Sequence, residues 1–364
     1  MKQMKKISIG TVFSGIGAFE YALNKLKIPH NILFACDNGE RELSLSQEEI
    51  MDKTQGMTDD QRESFVKDLY DKLKQPNYVK QSYMANYPIK EDQWHEDIRF
   101  LHGDKYKGDV DFLVGGSPCQ SFSTYGKKLG LEDTRGTLFY DYARLIKEVQ
   151  PKVFIYENVK NVTMHDKGHT WETMKQVWES LDYEIHWTIL NAQDYGVPQL
   201  RRRLFLVGFR KDVIEGKTFE FPKPQPLTCT SHDFMEKNGV DPKYYLGKKG
   251  FEWCTTPEKN QRRTRVNQDV QGCQTATQQD NWTGDLRIEP AQQWQKDDER
   301  IHVGMYNGVE SVARKMTPKE CLRMMGFMDF KQVVSDKVMY RQSGNSIVVN
   351  VLEALVTSIL KTIN

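Results

Sequence analysis

The feature that most constrains the fold is an alternation of short apolar segments with longer amphipathic ones over the first 210 residues. The apolar segments are rich in Val, Ile, Leu and Phe and are bounded by Gly, Asp, Asn or Pro, which is typical of buried strands. The segments between them have helical periodicity, so the alternation predicts an α/β domain around a mostly parallel sheet. The predicted strands are residues 7–13, 32–36, 111–115, 153–157, 184–190 and 204–209, and the predicted helices include 19–26, 138–149 and 170–181.

Two stretches depart from this alternation. Residues 39–80 are charged and contain one apolar helical stripe, which predicts a helical insertion packed on the domain surface; a DNA-contacting or partner-binding role is the alternative. Residues 210–305 are polar, and Pro222, Pro224 and Pro226 near their start indicate a linker at the boundary of a smaller domain of irregular and β structure. We therefore expect one domain formed by residues 1–209 and 306–364 and a second formed by residues 210–305.

Composition narrows the class of protein. The chain has 51 basic and 50 acidic residues, and this net charge of +1 excludes a wholly basic nucleic-acid binder while permitting a local basic groove. The six cysteines form no CxxC pair, so we expect neither a disulfide framework nor a zinc site, and a reducing cytosol as the compartment. We also expect no signal peptide and no membrane-spanning segment.

The first predicted strand leads into a glycine turn, Ser14-Gly15-Ile16-Gly17, and then into a helix. This layout is typical of nucleotide-type pockets because glycine lets the backbone approach a ligand closely, although a simple tight turn is the alternative. Glu20 stands where a dinucleotide fingerprint would need glycine, and its carboxylate suits a ligand with cationic groups better than a pyrophosphate. Asp37, after the second strand, is placed to accept hydrogen bonds from ribose hydroxyls.

A sharp loop, Gly115-Gly116-Ser117-Pro118-Cys119-Gln120, follows the predicted strand 111–115. The carboxyl ends of strands are where α/β sheets bind ligands, so this loop brings Cys119 to the cleft. A buried structural cysteine is the alternative, but the Gly-Gly-Ser-Pro setting favours a nucleophile.

Polar residues also end or precede two later strands. Glu157 ends the predicted strand 153–157. An acid at this position can pair with a polar ring substrate or cap the next helix. Arg201 and Arg203 alternate with Arg202, so they share one face of an extended segment and point toward one place. Such a pair can bind a phosphate or a base carbonyl, whereas a solvated basic face fits Arg202 best.

In this order along almost the whole chain, these residues resemble the C5-cytosine DNA methyltransferases. The Pro-Cys-Gln and Gly-Asn-Ser elements are highly specific in combination. The chain departs from the family at Asn38, where an aromatic residue often stands, and at the insertion 39–80. The motifs that carry the resemblance are residues 13–17, Asp97-Ile98, 115–139, Glu157-Asn158-Val159, Gln-x-Arg-x-Arg at 199–203, 314–320 and Gln342-Ser343-Gly344-Asn345-Ser346.

The resemblance implies a Rossmann-like methyltransferase domain with a mostly parallel sheet and a smaller, irregular or β, target-recognition domain. It implies an enzyme that flips a cytosine out of duplex DNA. Cys119 would add to carbon 6, and carbon 5 would take a methyl group from S-adenosyl-L-methionine, leaving S-adenosyl-L-homocysteine, with no metal. The expected partner is double-stranded DNA, and a cognate restriction endonuclease that acts on the same site is a further partner that the family allows. We also expect a cytoplasmic, nucleoid-associated monomer that binds no membrane.

The resemblance also implies roles for individual residues. Besides Cys119, Glu157 would bind ring N3, Arg203 would bind the carbonyl O2, and Arg201 would position the loop or a phosphate. The residues expected to bind the methyl donor are Phe13, Gly15, Ile16, Gly17, Asp37, Asn38, Asp97, Ile98, Pro118, Leu138, Asn345 and Ser346. Those expected to contact DNA are Gln120, Ser123, Tyr125, Lys127, Lys128, Arg262, Arg263, Arg265, Gln274 and Thr275.

Three other functions are weighed against this one. A tRNA-cytosine methyltransferase would share the catalytic residues, but its recognition domain is usually smaller than the polar segment 210–305. A non-catalytic DNA-binding protein has no need of a thiol and an acid at strand ends. A nicotinamide-dependent oxidoreductase is disfavoured by Glu20 and gives Pro118-Cys119-Gln120 no role.

Overall fold

The computed structural model of the chain describes residues 6–118, 138–237, 239–256 and 264–363. The chain divides into two compact units. The first unit comprises Met1–Leu190, Arg202–Pro222 and Leu352–Asn364, and the second comprises Asn191–Arg201 and Lys223–Val351.

The first unit is built on one large sheet. Among the described residues it has seven strands in the order β3-β2-β1-β4-β5-β7-β6. The pairs β1–β2, β2–β3, β1–β4 and β4–β5 are parallel, and β5–β7 is antiparallel. This confirms the predicted α/β class and all six predicted strands. The strands are β1 Ile7–Val12, β2 His30–Cys36, β3 Trp94–His95, β4 Phe112–Gly115, β5 Val153–Val159, β6 Tyr183–Asn191 and β7 Arg202–Arg210.

The helices of the described chain flank these strands and continue into the second unit. Their apolar stripes match the predicted periodicity, and the predicted helix 138–149 has those same bounds in the structure. The helices are α1 Ala18–Lys25, α2 Gln47–Lys53, α3 Asp59–Asp71, α4 Tyr78–Asn86, α5 Leu138–Val149, α6 His169–Glu179, α7 Lys211–Ile214, α8 Lys248–Thr255, α9 Gln293–Lys296, α10 Pro318–Arg323, α11 Asp336–Asn345 and α12 Val349–Ile363.

The core of the first unit is centred on Trp178 of α6. Its ring lies 4.8 Å from that of Phe139 and 5.3 Å from those of Phe154 and Tyr156, and all four side chains are fully buried. Edge-to-face and tilted aromatic pairs of this kind stabilise a core beyond the area they bury. This cluster fixes α5 and α6 against β5, the strand that carries Glu157.

The insertion is helical, as predicted, and consists mainly of α2 and α3. The Thr58 hydroxyl accepts a hydrogen bond from the backbone N–H of Gln61, and Gln61 Oε1 accepts one from the backbone N–H of Thr58, which is the predicted capping box. The apolar stripe packs into a small separate core around the buried residues Ile50, Val66, Tyr70 and Phe100.

The second unit contains a four-stranded sheet in the order β10-β11-β9-β8 among its described residues. Asn307 and Gly308, both with positive φ, form the two-residue turn of the β10–β11 hairpin. The unit extends to Val351, so residues 306–351, which we assigned to the first domain, belong to the second compact unit. The reason is that β11 pairs with β9, a long-range contact. The strands are β8 Thr264–Val266, β9 Gly284–Pro290, β10 Val303–Tyr306 and β11 Val309–Arg314.

One stretch of the described chain, Asp336–Ile363, is long and apolar enough to cross a membrane by length and composition alone. In the structure it forms two helices, α11 and α12, and α12 is about 22 Å long, less than the roughly 30 Å of a bilayer core. The apolar residues of α12, among them Leu352, Leu355 and Val356, are buried in the protein. The stretch is therefore weak evidence for a membrane span.

Candidate active site

The predicted site residues of the first unit gather at the carboxyl edge of its parallel strands. The glycine turn follows β1, Asp37 follows β2, and Asp97 follows β3. The loop that leads to Cys119 follows β4, and Glu157 lies near the end of β5. Because parallel strands end at the same edge of a sheet, residues far apart in sequence meet there.

The loop after β4 approaches β5 so closely that its first residues must be small. A Cβ built on Gly116 would lie 2.6 Å from the Glu157 carbonyl oxygen and 3.2 Å from Glu157 Oε2. A Cβ on Gly115 would lie 2.9 Å from the carbonyl oxygen of Val12 in β1. The two glycines therefore allow the chain to pass between β1 and β5 just before Cys119.

Two side chains of β5 hold this loop in place. The Asn158 amide donates hydrogen bonds to the Ser117 carbonyl oxygen at 3.1 Å and to the Tyr156 hydroxyl at 2.7 Å. The hydroxyls of Tyr156 and Ser117 are themselves hydrogen-bonded at 2.8 Å, and all three residues are buried. Sequence analysis missed Tyr156. Its signal is the two-residue spacing from Asn158, which puts both on one face of the strand.

Glu157 and Arg203 form an ion pair. Arg203 Nε lies 3.2 Å from Glu157 Oε1, and the side chains are 17% and 14% exposed. The antiparallel register of β5 and β7 places Arg203 opposite Val159. Val159 is two residues from Glu157, so the side chains of Glu157 and Arg203 lie on the same face of the sheet. The pair is thus mostly screened from water but not fully buried, which suits groups that bind a polar ring.

Arg201 does not share the surroundings of Arg203, contrary to the expectation that both guanidinium groups point to one place. Arg201 belongs to the second unit and is 3% exposed. Its guanidinium donates to the carbonyl oxygens of Gln274 at 2.8 Å, Gly344 at 3.0 Å and Ser346 at 2.7 Å. The expectation assumed that residues 201–203 form one extended strand. The strand β7 begins at residue 202, so Arg201 is not part of it. These contacts indicate a structural role for Arg201.

The glycine turn is held from two sides. The backbone N–H of Gly15 donates to Asp37 Oδ2 at 2.9 Å, and the Tyr87 hydroxyl donates to the carbonyl oxygens of Ile16 and Gly17 at 3.0 and 2.7 Å. Gly15 and Gly17 have φ of 54° and 75°, and a Cβ on Gly17 would lie 2.2 Å from the Tyr87 ring. Both glycines are therefore required by the turn.

The Asp37 carboxylate fits a ribose-binding role. Its two oxygens accept one backbone hydrogen bond each, from Gly15 and Gly39, and a carboxylate has room for about four in total. Burial raises the pKa of Asp37, and these two backbone donors lower it in part. Burial likewise raises the pKa of the neighbouring Cys36 thiol, with the Asp97 and Asp37 carboxylates adding to the effect.

Asn38 and Asp97 are occupied by contacts within the protein. The Asn38 amide bonds the backbone of Glu40 and Arg41. Asp97 is 8% exposed, and its carboxylate accepts hydrogen bonds from the Arg99 backbone and guanidinium and from the Tyr70 hydroxyl. The polar atoms of both side chains are therefore engaged within the protein, and the roles that the sequence gave to Asn38 and Asp97 stay predictions.

Glu20 also differs from expectation. Its side chain is 1% exposed and accepts hydrogen bonds from the hydroxyls of Thr11 at 2.9 Å and Tyr83 at 2.5 Å. Burial raises its pKa, with both hydroxyls lowering it in part. Glu20 therefore anchors α1 beneath the glycine turn and is not placed to meet a cationic ligand.

The other donor-site residues of the first unit occupy varied positions. Phe13 has a positive φ of 51° at the end of β1 and is half-buried. Ile16 and Ile98 are buried, Pro118 is exposed, and Leu138 begins α5.

The remaining predicted residues of the second unit show a mixed outcome. Asn345 ends α11, and Ser346 caps it. Arg265 makes a two-pronged ion pair with Asp285, at 3.1 and 2.8 Å. Thr275 is exposed, but Gln274 is 5% exposed and its backbone N–H donates to Gln199 Oε1. Gln274 is thus a packing residue and not a reader of base edges, because the polar run that contains it folds against α11.

Several predicted residues lie outside the described part of the chain: Cys119, Gln120, Ser123, Tyr125, Lys127, Lys128, Arg262 and Arg263. Within the described residues no group of three or more His, Cys, Asp or Glu side chains is arranged to hold a metal ion.

A mostly parallel sheet with glycine, acid and loop residues at its carboxyl edge defines an α/β enzyme of the nucleotide-binding type. The family model described as C-5 cytosine-specific DNA methylase matches residues 7–361. The chain therefore belongs to this family and is a DNA (cytosine-5-)-methyltransferase that uses S-adenosyl-L-methionine as its methyl donor. This confirms the resemblance seen in the sequence and excludes the nicotinamide-dependent oxidoreductase.

Curated relatives support the same assignment. The chain is 37% identical over 284 residues to the type II methyltransferase M1.ScrFI of Lactococcus lactis subsp. cremoris, covering 78% of this chain and 69% of that protein. It is 34% identical over 302 residues to the type II methyltransferase M.HhaI of Haemophilus parahaemolyticus, covering 75% and 86%.

Solved structures match in fold. A mutant DNMT2 of Spodoptera frugiperda has a TM-score of 0.68 at 18% identity, with 98% of this chain and 100% of that chain covered. The Dnmt2 methyltransferase of S. pombe has a TM-score of 0.64 at 18% identity, with coverage of 98% and 99%.

Proposed function

We propose that this enzyme flips a cytosine out of duplex DNA and methylates carbon 5 by way of a covalent bond between Cys119 and carbon 6. The observation that carries the proposal is the setting of Glu157. Its carboxylate pairs with Arg203 and lies against Gly116, three residues before Cys119 in the chain. An acid, a guanidinium and a thiol are the groups that addition to a pyrimidine needs.

The chemistry begins with the poor reactivity of carbon 5 in an aromatic ring. Addition of the Cys119 thiolate to carbon 6 breaks the aromaticity and gives carbon 5 the character of an enamine. The contacts of Tyr156 and Asn158 to Ser117 hold the backbone two residues before the nucleophile, which favours attack from one direction.

Glu157 and Arg203 stabilise the charge that this addition places on the ring. Glu157 holds a proton between its carboxyl oxygen and ring N3, and Arg203 donates to the carbonyl O2. The ion pair orients both side chains before the base arrives. After methylation a base removes the proton from carbon 5, the bond between carbon 6 and sulfur breaks, and Cys119 leaves as thiolate.

We assign the methyl-donor site to the edge formed by β1, β2 and β3. Asp37 would bind the ribose hydroxyls, the turn Phe13–Gly17 would contact the donor through its backbone, and Asp97 and Ile98 would form the wall beside the adenine. S-Adenosyl-L-methionine, when bound, supplies the methyl group. Asn345 and Ser346 of the second unit remain proposed contacts on the basis of their motif.

We assign DNA binding to the loop after Cys119 and to the basic segment that contains Arg262 and Arg263, with residues 210–305 as the target-recognition domain. Lysines and arginines there would contact phosphates, and Thr275 is an exposed group for a base edge. We further propose a monomer that acts in the cytoplasm on the nucleoid, beside a cognate restriction endonuclease.

Trapping on a 5-fluorocytosine duplex tests this function. Fluorine cannot leave as a proton does, so the adduct should persist as a DNA–protein band in denaturing gels when the methyl donor is present. Cys119→Ser should give no band while retaining the gel shift of non-covalent binding. Glu157→Gln should slow trapping about 100-fold or more, the range of general acid–base catalysis.

Two outcomes would contradict the proposal. One is a covalent band of ordinary intensity with Cys119→Ser. The other is trapping on a tRNA carrying 5-fluorocytosine and none on duplex DNA, which would make RNA the substrate. Bisulfite mapping of DNA methylated by the wild-type enzyme would then identify the target sequence.

A further inference from the structure

The insertion 39–80 reaches back to the acid that follows β3. The Tyr70 hydroxyl of α3 donates to Asp97 Oδ2 at 2.9 Å, and Arg99 holds the same carboxylate with its Nε and Nη2 at 2.9 and 2.6 Å. Tyr70 is fully buried, and the Asp97 side chain is 4% exposed. The Asp97 carbonyl oxygen accepts the backbone N–H groups of Phe100 and Leu101, so the position of Asp97 sets the following turn.

A second group of the insertion reaches the acid that follows β2. The Asn77 amide donates to the Asp37 carbonyl oxygen at 2.8 Å and to Glu96 Oε2 at 2.9 Å. Glu96 also forms a buried ion pair with Arg41, and Arg41 Nη1 donates to the Tyr70 carbonyl oxygen at 3.2 Å. One buried network thus joins the insertion to both strand-end acids.

The strength of these contacts depends on their burial. A hydrogen bond to a carboxylate is stronger than one between neutral groups, and buried contacts lose little to solvent screening. The outer surface of the insertion offers no comparable feature toward DNA, since residues 39–80 hold ten acidic and seven basic side chains, a net charge of −3. A surface of that sign repels phosphates.

We propose that the insertion is a positioning element for the methyl-donor site, in which Tyr70 fixes Asp97 and Asn77 fixes Asp37. The inference rests on the proposed donor site and extends it: neither Tyr70 nor Asn77 touches the donor. Tyr70 acts through the Asp97 carboxylate and the turn that follows it. The insertion therefore governs affinity for the donor and leaves binding of DNA unchanged.

A double-mutant cycle on the full-length chain tests this. The Kd for S-adenosyl-L-homocysteine is measured by calorimetry for wild type, Tyr70→Phe, Asp97→Asn and the double variant. We expect Tyr70→Phe to raise the Kd about tenfold and the KM for the donor to a similar degree, with little change in kcat. If Tyr70 acts through Asp97, its substitution has almost no further effect in the Asp97→Asn background.

The control is Tyr78→Phe, the same change at a partly exposed position in α4, which should leave the Kd unchanged. Gel shifts with duplex DNA should be equal in Tyr70→Phe, Tyr78→Phe and wild type. The thermal midpoint should fall in Tyr70→Phe because a buried hydrogen bond is lost, and far-ultraviolet circular dichroism should show that the variant is still folded at the assay temperature. Fully additive effects of Tyr70→Phe and Asp97→Asn, or an unchanged Kd in Tyr70→Phe while Asp97→Asn raises it, would overturn the positioning role. An unchanged Kd in Asp97→Asn would instead reject the proposed donor site.

Discussion

At the scale of single residues, the carboxyl groups of the first unit differ mainly in their exposure to solvent. Burial raises the pKa of Glu20, Asp37 and Asp141, and that of Asp141 reaches about 6, although Arg144 lowers it in part. Exposed acids such as Glu49 and Asp212 have pKa values lowered by hydrogen bonds. The amino-acid composition does not reveal this difference, because each of these residues counts as one negative charge in the formal net charge.

Asp141 gives a pH-dependent prediction. Its pKa is about 6 in the folded protein against 3.8 ordinarily, so the folded state binds the proton more tightly. The contribution of Asp141 to the free energy of unfolding therefore falls as pH rises from about 4 to about 6, by up to about 3 kcal/mol. Asp141→Asn should remove this loss and be more stable than wild type in urea at pH 8, with little difference at pH 4.

The matched control is Asp68→Asn on the exposed face of α3, which should change stability little at either pH. A loss of stability in Asp141→Asn at pH 8 would show that the charged carboxylate is needed by Arg144.

At the scale of elements, a buried ion-pair network joins β11 to α10 and β9. Arg314 is fully buried and donates to both oxygens of Glu320 at 2.8 Å and to Glu289 at 2.8 Å. Glu320 also completes the capping box with Thr317 at the start of α10. The motif 314–320 is therefore a structural joint in the second unit, a role that its charge pattern did not reveal.

Glu320→Gln should be strongly destabilising because it leaves a buried guanidinium with less compensation. Removing one partner of a buried pair costs about 3–5 kcal/mol, and the remaining Glu289 keeps the expected loss near the lower end. The urea concentration at the midpoint of unfolding measures this loss of stability. Glu310→Gln, which breaks an exposed pair with Lys296, should cost less than about 1 kcal/mol. Equal losses in the two variants would argue against the joint.

At the scale of the whole molecule, a net charge of +1 must coexist with a polyanionic substrate. Local segments of opposite sign resolve this, with an excess of acid in the insertion and Lys259, Arg262, Arg263 and Arg265 clustered in the chain. Of these four, Arg265 is already paired with Asp285, so we expect Arg262 and Arg263 to contribute more to binding phosphates.

The double variant Arg262→Ala/Arg263→Ala should weaken binding to all duplexes by a similar factor. Two lost phosphate contacts should reduce the slope of log K against log salt by about 1.8. Lys72→Ala in the acidic insertion is the control and should leave the slope unchanged. A loss confined to one duplex sequence would contradict backbone contacts and indicate reading of bases instead.

The division of the chain also belongs to this scale, and sequence predicted it only in part. The compact units divide after Pro222, at the prolines that we interpreted as a linker and thirteen residues after the predicted boundary at 209. The predicted return of the chain to the first domain at residue 306 does not match the compact units, because α11 packs on residues 275–278 of the second unit. The Gln278 amide donates hydrogen bonds to the Tyr340 carbonyl oxygen and to Ser343 Oγ. Those contacts join positions more than sixty residues apart.

The sequence by itself determined six strands and several helices of the first unit and the strand-end positions of the glycine turn, Asp37 and Glu157. It could do so because periodicity and turn residues act locally, and because parallel strands share one carboxyl edge. It missed β3 and the individual strands of the second unit. Only the tertiary structure decided that Arg203 and not Arg201 pairs with Glu157, and that Tyr70 holds Asp97. Such hydrogen bonds depend on how separate elements pack, which no local pattern of residues encodes.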